Sequence, residues 1–417
     1  MHWQATILAL AVCGLSLEAA GNCPHQGAIA GECVRTAYFY KPPVDGTPAS
    51  FIARHFDLIL LTHGDEGYRR ELRQAGYDGP ILQTVGANEA EGPGPYANRY
   101  AHCDPAYVPY MRTVTDEPGL FCRDVHEHES WFLHNRGGAR LYSRTLSANH
   151  IWRTTYAMNP ASRGWQQFVA QRLVQERRLG YNGIFLDNVW LSRAWTRQTA
   201  NGTGGVVEFS SRAALQAAVA AYLRRLRQAL PHVPIWANLT NDPDLEGDWN
   251  AYLPYLDGVM VENFLVGWSA KVELSPARRQ AQMINIAAAL RMGKKVLLVT
   301  QGRPHQRERW QRSLAAYWLL NNGHLYYRFA DAFTAAYRNV NWLDAYDQGP
   351  GRALGAAKAQ GWNWTRRFQS SHLPRGDRTA GARRGSIASG SKLAPAIHQL
   401  RLNLNWKYTE GISRSRQ

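Results

Sequence analysis

Residues 162–187 read SRGWQQFVAQRLVQERRLGYNGIFLD. Ser162 stands where a helix N-cap belongs, and Gly180 stands where a helix stops, because glycine accepts the left-handed backbone of a C-terminal cap. The run Gly183–Asp187 then follows, apolar without interruption until its terminal acid. A strand with one wet face alternates polar and apolar residues, whereas an unbroken apolar run fits a strand covered on both faces, as in a parallel sheet. Helix, glycine stop and buried strand thus form one unit.

The unit recurs in both directions. Further apolar runs lie at Thr36–Tyr40, Leu58–Leu61, Pro80–Thr84, Thr155–Met158, Pro234–Asn238, Gly258–Glu262 and Val296–Thr300, with Leu325–Arg328 as a candidate ninth strand. Helices are expected over Tyr68–Ala75, Ser162–Arg178, Ser210–Leu230, Pro276–Met292 and Gln306–Asn321. In the third of these, Leu215, Val219, Tyr222, Leu223 and Leu226 fall on one face. Ser210 is placed as an N-cap and Gly293 as a helix stop. Repeated strand–helix units over roughly 300 residues favour an α/β fold of the (β/α)8 TIM-barrel type over an open doubly wound sheet. No GxGxxG or P-loop follows any strand, which removes the usual nucleotide-binding alternative.

Around this barrel, expected over residues 35–368, the chain divides further. Residues 1–21 read as a signal peptide, with the apolar run Ala5–Leu17 and then Ala19-Ala20-Gly21 suited to cleavage. Residues 22–34 form a short N-terminal segment. Residues 86–150 are a long insertion after the third strand, expected to act as a lid. Residues 369–417 are rich in Ser, Gly and Arg and are expected to be a disordered, basic tail, dispensable for chemistry. A short piece around Leu400–Trp406 alternates apolar residues with Asn, as a strand pairing with another sheet would.

Cys23, Cys33, Cys103 and Cys122 remain after cleavage, an even number that in an exported chain points to two disulfides. Three pairings are open, of which Cys23–Cys33 with Cys103–Cys122 would staple the N-terminus and the insertion. Export would leave the protein secreted or periplasmic. The formal charge is +16, and the tail holds nine Lys/Arg against two Asp/Glu. Such a tail could contact an anionic surface, but no motif turns the charge into specific nucleic-acid recognition. No uninterrupted apolar segment reaches 18 residues, so a multi-span membrane protein is excluded.

Active sites of such barrels gather at the C-terminal ends of the strands. Those ends offer His63, Asn88, Glu89, Asn159, Asp187, Asn238, Glu262 and Gln301. Asp187 and Glu262 stand out, since each is a carboxylate directly after a buried run. Glycosidic cleavage uses two such groups, one donating a proton to the leaving oxygen while the other attacks the anomeric carbon or activates water. Trp190, Trp236 and Trp268 lie near them in sequence and could stack on sugar rings, while Asn238, His63, Asn159 and Gln301 could bond hydroxyls. A zinc site on His126, His128 and His134 lacks HExxH, and GxSxG is absent. Neither a metal nor an organic cofactor is expected.

At these same residues the chain resembles a known group. GYNGIFLDNVW (180–190), PIWANLT (234–240), LDGVMVENF (256–264) and GKKVLLVTQG (293–302) are similar, in order and spacing, to strand motifs of endo-α-1,4-polygalactosaminidase-type glycoside hydrolases, family 114. They are closer still to a sister group of hypothetical bacterial glycosyl hydrolases. The likeness covers roughly residues 35–368. It implies a (β/α)8 barrel with Asp187 as nucleophile, Glu262 as acid/base and retention of configuration. Trp190 stands where family 114 has a second acid, and Ala237-Asn238 replaces its Lys-Asn pair, which argues against galactosaminide specificity. The small β-rich C-terminal domain of the sister group is expected to be replaced here by the tail. The expectation is therefore an exported glycoside hydrolase acting on a polysaccharide or oligosaccharide. A catalytically inactive carbohydrate-binding or cell-surface scaffold on the same barrel is the alternative.

Overall fold

The computed structural model describes residues 33–86, 88–110, 112–146, 152–190, 205–239, 249–267, 273–330, 338–369 and 397–405. The signal-peptide assignment, Cys23, Trp268 and most of the expected tail lie outside them.

In chain order the first strands are β1 (Ala37–Tyr38), β2 (Leu58–Leu61) and β3 (Ile81–Gly86). An insertion carries β4 (Glu89–Gly92), β5 (Tyr142–Leu146) and β6 (Trp152–Ala157). Then come β7 (Gly183–Asp187), β8 (Ile235–Asn238), β9 (Gly258–Val261), β10 (Lys295–Gln301) and β11 (Leu325–Ala330). The main sheet runs β1-β2-β3-β7-β8-β9-β10-β11, and its paired neighbours are parallel. A parallel bridge from Thr36 to Tyr327 brings the first strand against the last, with the Tyr327 N–H donating to the Arg35 carbonyl at 2.8 Å. The result is an eight-stranded barrel. Its interior is filled by side chains such as Leu58, Leu60, Leu82, Phe185, Trp236, Met260, Leu297 and Tyr326.

Helices α1 (Ala49–His55) and α2 (Glu66–Gln74) precede a short α3 (Leu120–Asp124) in the insertion. The chain then forms α4 (Arg163–Glu176), α5 (Arg212–Ala229), α6 (Pro276–Arg291) and α7 (Arg307–Leu320). Ser162 caps α4 by accepting from the Trp165 N–H, and Gly180 follows with φ 82°. The cap of α5 is Ser211, one residue later than expected, accepting from Ala214. The stripe Leu215, Val219, Tyr222, Leu223 and Leu226 is buried as its spacing requires. Ser275 caps α6 with Pro276 at the first turn, and Gly293 turns out of it at φ 73°.

Two expectations change. Thr155–Met158 is not a barrel strand, because residues 152–157 form the centre of an antiparallel sheet, β4-β6-β5, within the insertion. Leu325–Arg328, the candidate ninth strand, belongs to β11 (Leu325–Ala330), the eighth strand of the barrel. The insertion therefore extends beyond residue 150. Its core stacks Phe121 on Tyr156 at 5.0 Å, and the Cys103–Cys122 disulfide ties α3 to the preceding loop across a Cα distance of 5.6 Å. Cys33 is also disulfide-bonded.

The segment expected to be a disordered tail contains a strand, which corrects that reading over residues 397–405. Strands β12 (Arg352–Ala353), β13 (Lys358–Gln360), β14 (Asn363–Gln369) and β15 (Ile397–Asn403) make a small antiparallel sheet, so the β-rich C-terminal unit is present after all. Alternation accounts for it. Leu402 and Leu404 point inward beside Trp364 and Phe368, while Arg401, Asn403 and Asn405 face water. The sheet is fastened to the barrel by Trp364, which donates to Gln280 of α6 at 2.9 Å. Arg279, fully buried, donates to the Leu404 carbonyl at 3.1 Å and pairs with Glu273 at 2.8 Å.

Candidate active site

Asp187 and Asn238 end the adjacent strands β7 and β8, and Glu262 follows directly on β9, the next strand of the barrel. Asn238 is fully buried. Its Nδ2 donates to Asp187 Oδ1 at 3.1 Å and to Glu262 Oε2 at 2.6 Å. One nitrogen so close to both puts those two oxygens within about 6 Å of each other. Asp187 Oδ1 also accepts the Asn188 backbone N–H at 2.9 Å, whereas among the described residues Oδ2 accepts no hydrogen bond. Glu262 is 9% exposed, and its carbonyl is held by Gln301 Nε2 at 2.7 Å.

A third carboxylate joins them. Glu89, the first residue of β4, is buried, and its Oε2 accepts from Asn188 Nδ2 at 3.0 Å. Arg112 Nη2 lies 3.7 Å from the same oxygen. Burial pushes the Glu89 carboxyl up and Arg112 pulls it back, while the Asp187 charge pushes it further up. Burial works against the charge on Arg112, but Asp187 and then Glu89 outweigh it and hold the guanidinium charged.

Arg112 belongs to the insertion, and the barrel explains how it arrives. Strand β2 ends at Leu61, opposite Gln83, so the last residue of β3 has no β2 partner. The insertion fills that place. The Gly86 N–H donates to the Arg112 carbonyl at 2.7 Å, and Gly86 bridges Thr113 on one side while it pairs with Asp187 on the other. Sequence reading placed Glu89 among the strand-end polar residues without giving it a role, and it missed Arg112 and Asn188. A signal was available in EAEG (89–92), two acids alternating with small residues just past a strand end.

The other residues expected to bind substrate are placed differently. Trp236 fills the barrel interior against Tyr326, and a Cβ on Gly258 would lie 2.3 Å from its ring, so it is packing and not a sugar platform. Trp190 is 3% exposed, and its carbonyl accepts from Tyr252. Gln301 is buried behind Glu262. Asn159 receives no strand end to stand on and instead shapes the turn into α4, its Oδ1 accepting from Ala161 at 3.0 Å. Trp268 lies outside the described residues. His126 faces Arg140, His128 stacks on Trp131, and His134 sits between Glu129 and Glu208, so these three serve separate contacts.

His63 meets the insertion. Its Nδ1 meets Asp116 at 2.7 Å, and Asp116 also accepts from Arg172 of α4 at 2.8 Å. Arg172 reaches Glu176 at 3.3 Å, and Glu176 accepts from Gln83 on β3. Burial and then Asp116 push the Glu176 carboxyl well up, Asp116 raises His63, and burial raises Asp57 to about 6. Each of these groups holds its proton more tightly folded than unfolded. The stability they contribute is therefore complete below the unfolded pKa values and is lost as pH rises through the folded ones. Glu129 works the other way. Against burial, Arg140 and His134 hold it low, so its contribution disappears only in strong acid. The urea midpoint should accordingly be higher at about pH 5 than at about pH 8, and Glu176→Gln should flatten that slope. A midpoint that rises toward pH 8 in wild type would contradict the assignment.

The model described as hypothetical glycosyl hydrolase family 15 matches residues 98–372. That range includes Arg112, Asp187, Asn188, Asn238 and Glu262 and starts after Glu89. Among solved structures, the chain is similar to the glycoside hydrolase domain of PelA from Pseudomonas aeruginosa, at 17% identity over 68% of this chain and 89% of that one, with a TM-score of 0.42. It is also similar to Ega3 of Aspergillus fumigatus in complex with galactosamine, at 12% identity over 75% of this chain and 95% of that one, with a TM-score of 0.40. No curated protein matches. With about two thirds of its length matched by the family model, the chain belongs to hypothetical glycosyl hydrolase family 15.

Proposed function

We propose that this chain is an exported glycoside hydrolase that cleaves a polysaccharide or oligosaccharide with retention of configuration, Asp187 acting as nucleophile and Glu262 as acid/base. The observation that carries the reading is the single amide nitrogen of Asn238 in contact with both carboxylates. Retaining enzymes hold their two carboxyl groups about 5–5.5 Å apart, and inverting enzymes need roughly 6.5–9.5 Å to admit a water. The bound of about 6 Å between bridged oxygens supports the first class.

In this mechanism Asp187 Oδ2 attacks the anomeric carbon while Glu262 gives its proton to the leaving oxygen. The glycosyl ester on Asp187 is then opened by a water that Glu262 deprotonates, which regenerates both groups. Asn238 bonds both carboxylates and so fixes their spacing. The Cys103–Cys122 disulfide supports an oxidising compartment, in keeping with residues 1–21 as an export signal and a secreted or periplasmic location.

The test is reducing-end release from a glycan panel that includes amino-sugar polymers and acidic exopolysaccharides, for wild type and Glu262→Gln. Release by wild type alone is expected. Equal release by both proteins would remove Glu262 from the chemistry, and glycan binding without release at any pH would turn the reading toward a non-catalytic scaffold.

A further inference from the structure

Asn188, the residue after Asp187, has φ 55°. Among residues other than glycine, asparagine enters this left-handed region most readily, and the groups around it decide whether it stays there. Here the holding groups are the first two described residues of the insertion. Glu89 Oε2 accepts the Asn188 side-chain amide at 3.0 Å, and the Asn88 side-chain amide donates to the Asn188 carbonyl at 3.3 Å. Asn88 and Glu89 are themselves buried, 0% and 3% exposed. Asn188 is thus held at its side chain and its carbonyl at once, and with that backbone its N–H meets Asp187 Oδ1 at 2.9 Å.

The clamp is built tightly. A Cβ on Gly86 would stand 3.1 Å from Thr113 and 3.4 Å from Glu89 Oε2, so a side chain there would crowd the clamp. Arg112 provides the counter-charge, its Nη2 standing 3.7 Å from Glu89 Oε2. The barrel alone contributes Asp187 and Asn188, but the conformation that joins them depends on residues from the insertion.

We propose that Glu89, assisted by Asn88, is a positioning residue that locks Asn188 in the left-handed conformation and thereby fixes the Asp187 carboxylate for attack. This rests on Asp187 being the nucleophile. It assigns Glu89 no proton transfer and no contact with substrate. It also separates two properties of Asn188, since its backbone N–H reaches Asp187 while its side-chain amide donates to Glu89.

Glycine reaches a positive φ without a clamp and keeps the backbone N–H. Four variants therefore test the proposal: Glu89→Ala, Asn188→Ala, Asn188→Gly and the double variant Glu89→Ala/Asn188→Gly. Activity is read on whichever panel glycan wild type cleaves best, and crystal structures of the same variants are read at residues 187 and 188. Glu89→Ala and Asn188→Ala should each lower kcat by roughly 100-fold, the scale expected for a misplaced reacting group, with KM little changed. Asn188→Gly should lose much less than Asn188→Ala, and the double variant should recover most of what Glu89→Ala loses. A general acid or a substrate ligand at Glu89 would not be rescued in this way.

A double variant as slow as Glu89→Ala would overturn the proposal. So would a Glu89→Ala crystal structure in which residue 188 remains left-handed with its N–H on Asp187, and this result can be read even if the panel contains no substrate. Asp187→Asn is the separate control. If it retained activity, the nucleophile assignment would fail whatever the rescue pattern showed.

Discussion

On the proposed roles, Glu262→Gln and Asp187→Asn should each lower kcat by roughly 10⁴-fold or more, the upper range for removing a group that transfers a proton or forms the covalent bond. Both substitutions keep the shape of the side chain and an oxygen able to accept from Asn238, so the thermal midpoint should not move. A more discriminating result comes from small anions. In an Asp187→Gly variant, azide enters the space of the lost carboxylate and attacks the anomeric carbon, while Glu262 still protonates the leaving oxygen. The product is a glycosyl azide of inverted configuration. In a Glu262→Ala variant acting on a substrate with an activated leaving group, Asp187 still forms the glycosyl ester and azide displaces it from the opposite face, giving net retention. The anomeric proton coupling in the NMR spectrum distinguishes the two. Two azides of the same configuration would mean that the roles are wrongly assigned.

The second large effect falls on stability. Ending the chain at Ala396 removes β15 and with it Leu402 and Leu404, which are 8% and 0% exposed. Burying each leucine contributes about 1.5–3 kcal/mol. The fully buried Arg279 would also lose the Leu404 carbonyl, and a buried donor left without its acceptor costs roughly 1–3 kcal/mol. Trp364 and Phe368 would be uncovered along a strand that now has a free edge. Set against the roughly 5–15 kcal/mol that holds an ordinary domain together, the loss is large. The shortened protein should melt far lower or fail to accumulate in soluble form. Leu404→Ala is the milder form, expected to cost about 2–5 kcal/mol in urea denaturation. An unchanged midpoint in both would show that this sheet is a passive appendage.

The contrast between Asp187 and Trp190 shows what could be read from residue order. Asp187, Asn238 and Glu262 were legible because a buried strand emerges at a known end of the barrel, so an acid or amide directly after the run has only one place to be. Trp190 and Trp236 were near them in sequence, but type and proximity do not say which way an indole points, and both point into the core. Thr155–Met158 misled for a related reason. Tyr156, Ala157 and Met158 are as buried as a barrel strand, so composition cannot separate them from one. That misplacement carried Asn159 with it. Glu89 and Arg112 meet only because a short β2 leaves the edge of Gly86 open, a consequence of register that appears once strands are paired. The strand at 397–403 had a readable pattern, alternating leucine with polar residues, but its partner β14 lies beyond 27 residues of Arg/Ser/Gly-rich text.

Closure of the ring also has a consequence in time. Arg35 places its backbone N–H on the Tyr317 hydroxyl and its guanidinium on the Gly323 carbonyl and the Tyr326 hydroxyl, partners 282, 288 and 291 positions further along the chain. Contacts of that separation form late, because the entropy of bringing distant segments together must be overcome before the contacts reward it. Until residue 330 has left the ribosome, β1 has no neighbour on its outer side and the growing sheet is an open fan with a sticky rim. Such a chain should refold slowly from denaturant and should aggregate in proportion to its concentration while it does. Dilution during refolding should recover more native protein than any change in the chemistry of the mouth.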